Sequence, residues 1–373
     1  MLAKIKSFFT KDKVFLISFV VALISMLFVL PNQSYLGYFK LEVLVVMFGL
    51  MIAVSALSEQ NFFKVVATHM VRQFKSLKLV SLIIILTTFF LGMLVTNDAV
   101  LLTLVPFTIY VTKHTKQEKY TIIIVILQTL AANLGSALTP MGDPQNIYLY
   151  SKFDIPFMVF IKTMLPITLT GLVLIVTTTL ILLPNHKIDL YTPNEKIKDY
   201  KILVAFTILM LSILCVVGVV DVIVTLLAVV LLTMIFFKHL FKKVDYHLLL
   251  TFTMFFIFTG NVSQINVVKE VVGALLISNT STFIAGFFTS QVISNVPAAV
   301  LLSTFAQSSQ ALYLLQGVNV GAMGTIIGSL ASLITYKFVI NEYPNEFKRY
   351  LITYTIICVI YIVIITSVVF ILK

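Results

Sequence analysis

Charge is scarce in this chain. Only 11% of its 373 residues are Asp, Glu, Lys or Arg, where a soluble domain carries about 25%. Hydrophobic residues make up 60%, with a mean hydropathy of +1.06. The longest polar segment, around His186–Lys201, is about 16 residues, too short for a separate soluble domain. Cysteine is nearly absent. Cys215 and Cys358 both lie inside apolar runs, which argues against a disulfide framework or thiolate metal site and leaves two small packing residues. No metal-ligand spacing, Walker-type loop, nucleophile elbow, or Ser/His or Asp/Asp catalytic spacing occurs, so no enzyme and no bound cofactor are expected. What the chain does have is runs of about 20 apolar residues along its whole length, the signature of an all-α polytopic membrane protein.

The 26 basic residues divide by side. Helices are expected at 14–30, 41–57, 120–138 continuing to 150, 155–183, 201–217, 219–237, 247–263, 310–336 and 350–372. With a cytoplasmic N-terminus, and with 79–112 and 271–306 each entering and leaving on one face, the inside holds Lys4, Lys6, Lys11, Lys13, Arg72 and sixteen others. The outside holds only Lys40, Lys152, Lys162, Lys269 and Lys373. That asymmetry makes them topological anchors of an integral cell-membrane protein with an external C-terminus. A pI of 9.4 and a net charge of +11 then need no nucleic-acid partner. The first apolar run lacks a small-residue cleavage site and reads as a retained anchor.

From Leu79 to Thr112 one charge, Asp98, stands in 34 residues. As one straight helix this run would span about 51 Å, against a hydrocarbon core of about 30 Å. Basic residues flank both ends, so a re-entrant hairpin fits, with legs of about 17 residues and Thr96-Asn97-Asp98 at its tip. Such a tip survives at depth only when buried in protein or lining a wet cavity.

The chain then repeats itself. FFTSQVISNVPAAVLL, 287–302, lies over FFLGMLVTNDAVLLTL, 89–104, with Asn295 on Asn97. NVGAMGTIIG, 319–328, lies over NLGSALTPMG, 133–142, sharing N-x-G-x-x-x-T-x-x-G. Upstream, Ser263, Asn266 and Lys269 fall on Ser58, Asn61 and Lys64. The topology inverts the two copies. The expected organisation is a first repeat over 1–183, a cytoplasmic linker over 184–200 and a second repeat over 201–373, each repeat with a re-entrant hairpin and a broken helix. This is the architecture of secondary transporters, with the site near the midplane.

Gly135, Pro140, Gly142 and Pro144, and the Gly321–Gly324–Gly328 series, break the helices. Orphan N–H ends suit anions and orphan carbonyl ends suit cations such as sodium. Candidate ligands are Thr96, Asn97, Asp98, Asn133, Thr139, Gly142, Asp143, Asn146, Ser294, Asn295, Asn319, Thr325, Gly328 and Ser329. Sodium would sit at Asn97, Asp98, Asn295 and the neighbouring breaks. Intramembrane carboxylates are costly and are found paired, protonated or cation-bound. Asp98 and Asp143 are therefore candidate coupling groups, although Asp143 also suits an N-cap ahead of Pro144. Asp221 lies in a short external turn and looks structural.

TND and SNVP at the tips, with NLGSALTPMGDPQN and GVNVGAMGTIIGSLASL after them, resemble the ion transporter superfamily of citrate-type transporters, divalent anion/sodium symporters, arsenite permeases and sodium/proton antiporters. The resemblance implies sodium and substrate between the hairpin tips and a moving part on a scaffold, in a homodimer. Asp98 and Val296 depart from the Ser-Asn-Thr tips of divalent anion symporters and resemble the arsenite-efflux and antiport branches. GDPQN resembles the citrate branch. The expectation is a membrane-embedded secondary transporter of a small anion, coupled to sodium or protons. A sodium/proton antiporter and an oxyanion efflux permease are the alternatives.

Overall fold

The computed structural model of the chain describes residues 13–71, 74–188 and 196–372. Lys4, Lys6, Lys11, Arg72 and Lys373, and the middle of the 184–200 linker, lie outside the described residues. Among those described, the chain is helical and has no named strand, with one isolated antiparallel bridge between Ser76 and Lys187.

The helices are α1 (Lys13–Phe28), α2 (Leu41–Glu59), α3 (Phe62–Val71), α4 (Leu77–Gly92), α5 (Asn97–His114), α6 (Thr121–Ser136), α7 (Pro144–Lys152), α8 (Phe157–Leu182), α9 (Lys201–Val216), α10 (Val222–Phe236), α11 (Tyr246–Val262), α12 (Asn266–Leu275), α13 (Asn279–Ile293), α14 (Asn295–Ser303), α15 (Ala311–Gly321), α16 (Leu330–Glu342) and α17 (Phe347–Ile371). Short 3-10 turns fill several joins. Four described helical segments are long and apolar enough to span a bilayer singly, and others are shorter apolar helices. The chain is thus an all-helical polytopic membrane protein. Long helices at the periphery show why. On α17, Tyr350, Tyr354, Cys358, Tyr361 and Ile365 are buried, while Ile352, Ile356, Val359 and Val363 on the opposite side are exposed apolar residues. Such a stripe has lipid as its solvent.

Several boundaries differ from the sequence expectation. The second hairpin starts at Asn279, because α12 occupies 266–275 and bends 104° away from α11. A matching short helix, α3, follows α2 after a turn in which Asn61 adopts φ 63°, a left-handed conformation asparagine tolerates. Neither short helix was anticipated. The second broken helix runs on to Glu342, past the expected end at 336.

Legs of 16 and 18 residues, α4 and α5, flank the turn at 93–96. In the second hairpin, α13 and α14 are joined through the single residue Ser294 at φ 74°. Each hairpin packs on the first half of the broken helix that follows it: α4 and α5 on α6, α13 and α14 on α15. The second halves cross over. α7 packs on α14 of the other hairpin, and α16 packs on α5 and α6. Around this core, α2 packs on α9 and α10, and α11 packs on α1.

Glycine sets the spacing of both hairpins. A Cβ on Gly135 would lie 2.1 Å from the Phe89 carbonyl oxygen, and one on Gly321 would lie 2.7 Å from that of Phe287. These pairs fall in the register of the sequence alignment. The threonines agree: Thr139 Oγ1 donates to the Met93 carbonyl (2.5 Å), and Thr325 Oγ1 to that of Gln291 (2.9 Å).

Gly135→Ala should therefore lower stability by about 1–3 kcal/mol, as forced overpacking does. Gly273→Ala, with nothing within 4 Å of its added Cβ, should be neutral or gain about 0.5–1 kcal/mol from helix propensity. Thermal unfolding of the purified protein in detergent checks this ordering. Equal melting points for both variants would show that the close approach carries no energy.

Candidate functional site

Both helix breaks are sequence-driven. Pro140 and Pro144 lack the N–H an uninterrupted helix would use. The Cβ of any residue replacing Gly142 would lie 2.2 Å from the Ser136 carbonyl oxygen. The chain therefore leaves α6 at Ser136, makes a 3-10 turn over Pro140–Gly142 and re-enters helix at Pro144. In the second copy, α15 ends at Gly321 and α16 begins after Ser329.

The residues at these breaks meet the hairpin tips. Asn97 Nδ2 lies 3.0 Å from Asp143 Oδ2 and 3.1 Å from Asn133 Oδ1. Ser136 Oγ donates to the same Asp143 oxygen at 2.9 Å. Asn133 Nδ2 reaches Ser329 Oγ (3.3 Å), Ser329 Oγ pairs with Ser332 Oγ (2.9 Å), and Ser332 Oγ pairs with Tyr354 Oη (2.8 Å). On the other side, Asn319 Nδ2 donates to Asn146 Oδ1 (2.8 Å), and Gln145 Nε2 donates to Asn319 Oδ1 (3.4 Å). The second tip docks through its backbone, with Asn295 N–H donating to the Gly328 carbonyl at 2.9 Å. Each tip asparagine also accepts from the next backbone N–H, Asp98 at 2.7 Å and Val296 at 2.9 Å.

Asp143 does occupy the N-cap position of α7, but its side chain makes no capping bond. It is spent on Ser136 and Asn97. The structural reading of Asp221 fits its geometry, since it caps α10 by accepting from Ile223 N and Val224 N. No ion pair among the described residues involves Asp98 or Asp143.

Not every candidate converges. Thr139 and Thr325 spend their hydroxyls on the hairpin legs, and Thr325 is exposed. Thr96 is the half-buried N-cap of α5 without a side-chain capping bond. Ser294 Oγ reaches its neighbour Asn295 Oδ1 at 3.4 Å. Gly142 and Gly328 act as close-approach positions. Conversely, Ser136, Ser332, Tyr354 and Gln291 were not picked out from sequence. Gln291 Nε2 holds the Gly321 carbonyl (2.7 Å), and its Oε1 accepts from Thr325 N. Ser136 did carry a signal, standing seven residues before Asp143 across the break.

The electrostatics are mixed. Residues at the N-termini or N-caps of α5, α7, α14 and α16 take part in the cluster's bonds, as do residues near the C-terminal ends of α6 and α15. Three buried polar atoms here have no hydrogen-bond partner: Asp98 Oδ1, Gln145 Oε1 and Asn295 Nδ2. A buried unpaired polar atom costs about 1–3 kcal/mol, so these two acceptors and one donor at the tips and the first break are candidate ligand contacts, the acceptors for a cation and the donor for an anionic oxygen.

Asn97→Ala should cost stability, about 1–3 kcal/mol, because Asp143 loses a donor. Asp98→Asn, at a carboxylate whose Oδ1 has no partner, should melt at or above the wild-type temperature. Differential scanning fluorimetry in detergent decides the order, and the reverse order would sink the assignment of Asp143 as the held carboxylate.

A family model described as Citrate transporter matches residues 5–317. Among relatives, a protein of Methanocaldococcus jannaschii named as an uncharacterized transporter is 31% identical over 299 residues, covering 78% of this chain and 79% of that protein. The inner membrane protein YbiR of Escherichia coli is 29% identical over 301 residues, covering 78% and 77%. A Dictyostelium discoideum protein with arsB in its transporter name is 24% identical over 154 residues, covering 41% and 26%.

Proposed function

The chain belongs to the citrate transporter family, and from that premise we propose that it is a secondary active transporter of a small anion, citrate, a dicarboxylate or a similar ion, coupled to sodium or protons by alternating access. The observation that carries this reading is the convergence of four helix N-termini on one buried cluster with the unpartnered Asn295 Nδ2. Helix N-termini and amide donors favour negative charge. Asp98, next to Asn97 at the first tip and with its Oδ1 unpartnered, supplies the coupling site, where it takes a proton or, with Gln145 Oε1 and the carbonyls of the breaks, a sodium ion.

The two hairpin-and-break units are inverted repeats across the membrane, with the N-terminus cytoplasmic and the C-terminus outside. Because the second half of each broken helix packs against the other unit, the hairpins and breaks move as one body. They carry substrate past a scaffold that includes α2, α9, α10 and α11 in an elevator-like motion, in a homodimer. A second reading has its own observation. Asp143 bonds to Asn97 and Asp98 follows it at the same tip, and two carboxylates at one tip suit a sodium/proton antiporter. The arsB name of one relative belongs to that protein and keeps oxyanion efflux as a third outcome.

Internal pH of dye-loaded proteoliposomes after a sodium pulse, with and without citrate or succinate, tests the assignment. The expected response appears only with the anion and is lost in Asp98→Asn but kept in Asp221→Asn. A pH jump on sodium alone that Asp98→Asn abolishes would make the protein an antiporter and overturn the anion reading.

A further inference from the structure

A polar cavity of about 160 Å³ lies away from the central cluster. Its walls include Lys40 at the start of α2, Tyr148 and Lys152 of α7, Thr259 and Ser263 of α11 and its C-cap, and Thr304 just after α14. Both lysines are half-buried, and both line this one cavity. Neither forms an ion pair among the described residues. The nearby carboxylate in sequence, Glu42, accepts from Ser151 Oγ at 2.7 Å. Two ammonium groups that line one cavity without an ion-pair partner repel, and an anion is the group that offsets this.

The remaining chemistry of the walls narrows the ligand. Thr259, Ser263 and Thr304 each donate their hydroxyl hydrogen to a helix carbonyl, those of Phe255, Gly260 and Val300. The ammonium groups are the cavity's charged donors, beside the phenols of Tyr38 and Tyr148, and they select by charge.

The position matters as much as the charge. α7 runs from Asp143 and Pro144 in the central cluster to Lys152 in this cavity, and α14 runs from Asn295 to Ser303 beside it. Each has nine residues, or about 13 Å of helix. The two half-helices pack together and are tied at the cavity end by Ser303 Oγ to Tyr148 Oη, 3.1 Å. The cavity is thus one half-helix away from the central cluster, at the far ends of the elements whose N-termini form it.

We propose that Lys40 and Lys152 form a second anion site, a vestibule that holds the carboxylate groups of a soluble anion before it reaches the central cluster. The vestibule rests on the anion reading for its physiological ligand, but its binding chemistry stands separately. A phospholipid headgroup offers the same anionic oxygens, so the test separates the two sources. Full-length protein in phosphatidylcholine nanodiscs, with or without phosphatidylglycerol, is labelled with an amine-reactive ester, and the rate at each lysine is read by mass spectrometry. Citrate should slow labelling of Lys40 and Lys152 severalfold in both lipids, and leave the exposed Lys162 and Lys269 unchanged. Glycerol, a neutral control, should do nothing. In proteoliposomes, Lys152→Gln should raise the KM for citrate severalfold, and the difference should shrink at high salt, as screening requires.

Labelling indifferent to citrate overturns the vestibule. So does protection by phosphatidylglycerol to which citrate adds nothing, which would make it a lipid site. Citrate-dependent transport without protection removes the vestibule and keeps the transport reading. Protection in a protein that carries no citrate keeps the vestibule and removes that reading.

Discussion

Interrupting a helix inside an apolar slab leaves backbone N–H and C=O groups that no water can satisfy, and a carboxylate at the same depth adds a larger debt of the same kind. This protein meets the problem by interruption in pairs. Asn133, near the end of α6, reaches Ser329 at the start of α16. Asn319, its counterpart near the end of α15, reaches Asn146 just inside α7. Asp143 is held by Ser136 from its own break and Asn97 from the first hairpin tip. Remove the crossing and each break becomes an unsatisfied end in the interior.

The crossing has a mechanical consequence. Since α7 packs on α14 and α16 packs on α5 and α6, neither hairpin can shift without dragging the other unit's half-helix. The buried polar bonds between Thr129 and Thr335 (2.9 Å) and between Ser303 and Tyr148 (3.1 Å) lock the same two seams. Units joined in this way, with helix N-termini in the buried cluster, fit the proposed alternating access better than a pore with independent gates. The outer faces of α8 and α17 are apolar and exposed, while their inner faces carry Phe160 on α8 and Tyr350, Tyr354 and Tyr361 on α17.

Much of this was legible in the amino-acid sequence, because it depends on local chemistry. The lone Asp98 in 34 residues marked the interruption between α4 and α5, and Gly and Pro marked both breaks. The aligned pattern N-x-G-x-x-x-T-x-x-G put Gly135 and Gly321 in register, and the structure sets them against Phe89 and Phe287 in the same way. The crossing itself was not legible, since which half-helix lies against which hairpin is decided by long-range packing. The short helices α3 and α12 were missed for another reason: each has only 10 residues, so neither shows as a separate apolar run. Asp143 was half readable. Its N-cap position follows from Pro144, but its actual partners come from elements far apart in the chain.

The central claim is that two tips and two breaks make one binding site. Hydrogen–deuterium exchange of the purified protein, with and without citrate in sodium buffer, tests it most directly. Joint protection of the peptides covering 93–98 and 291–296, together with those covering 139–146 and 322–329, is the result this account predicts. Protection confined to one hairpin and its own break, with the other unit unchanged, would contradict it.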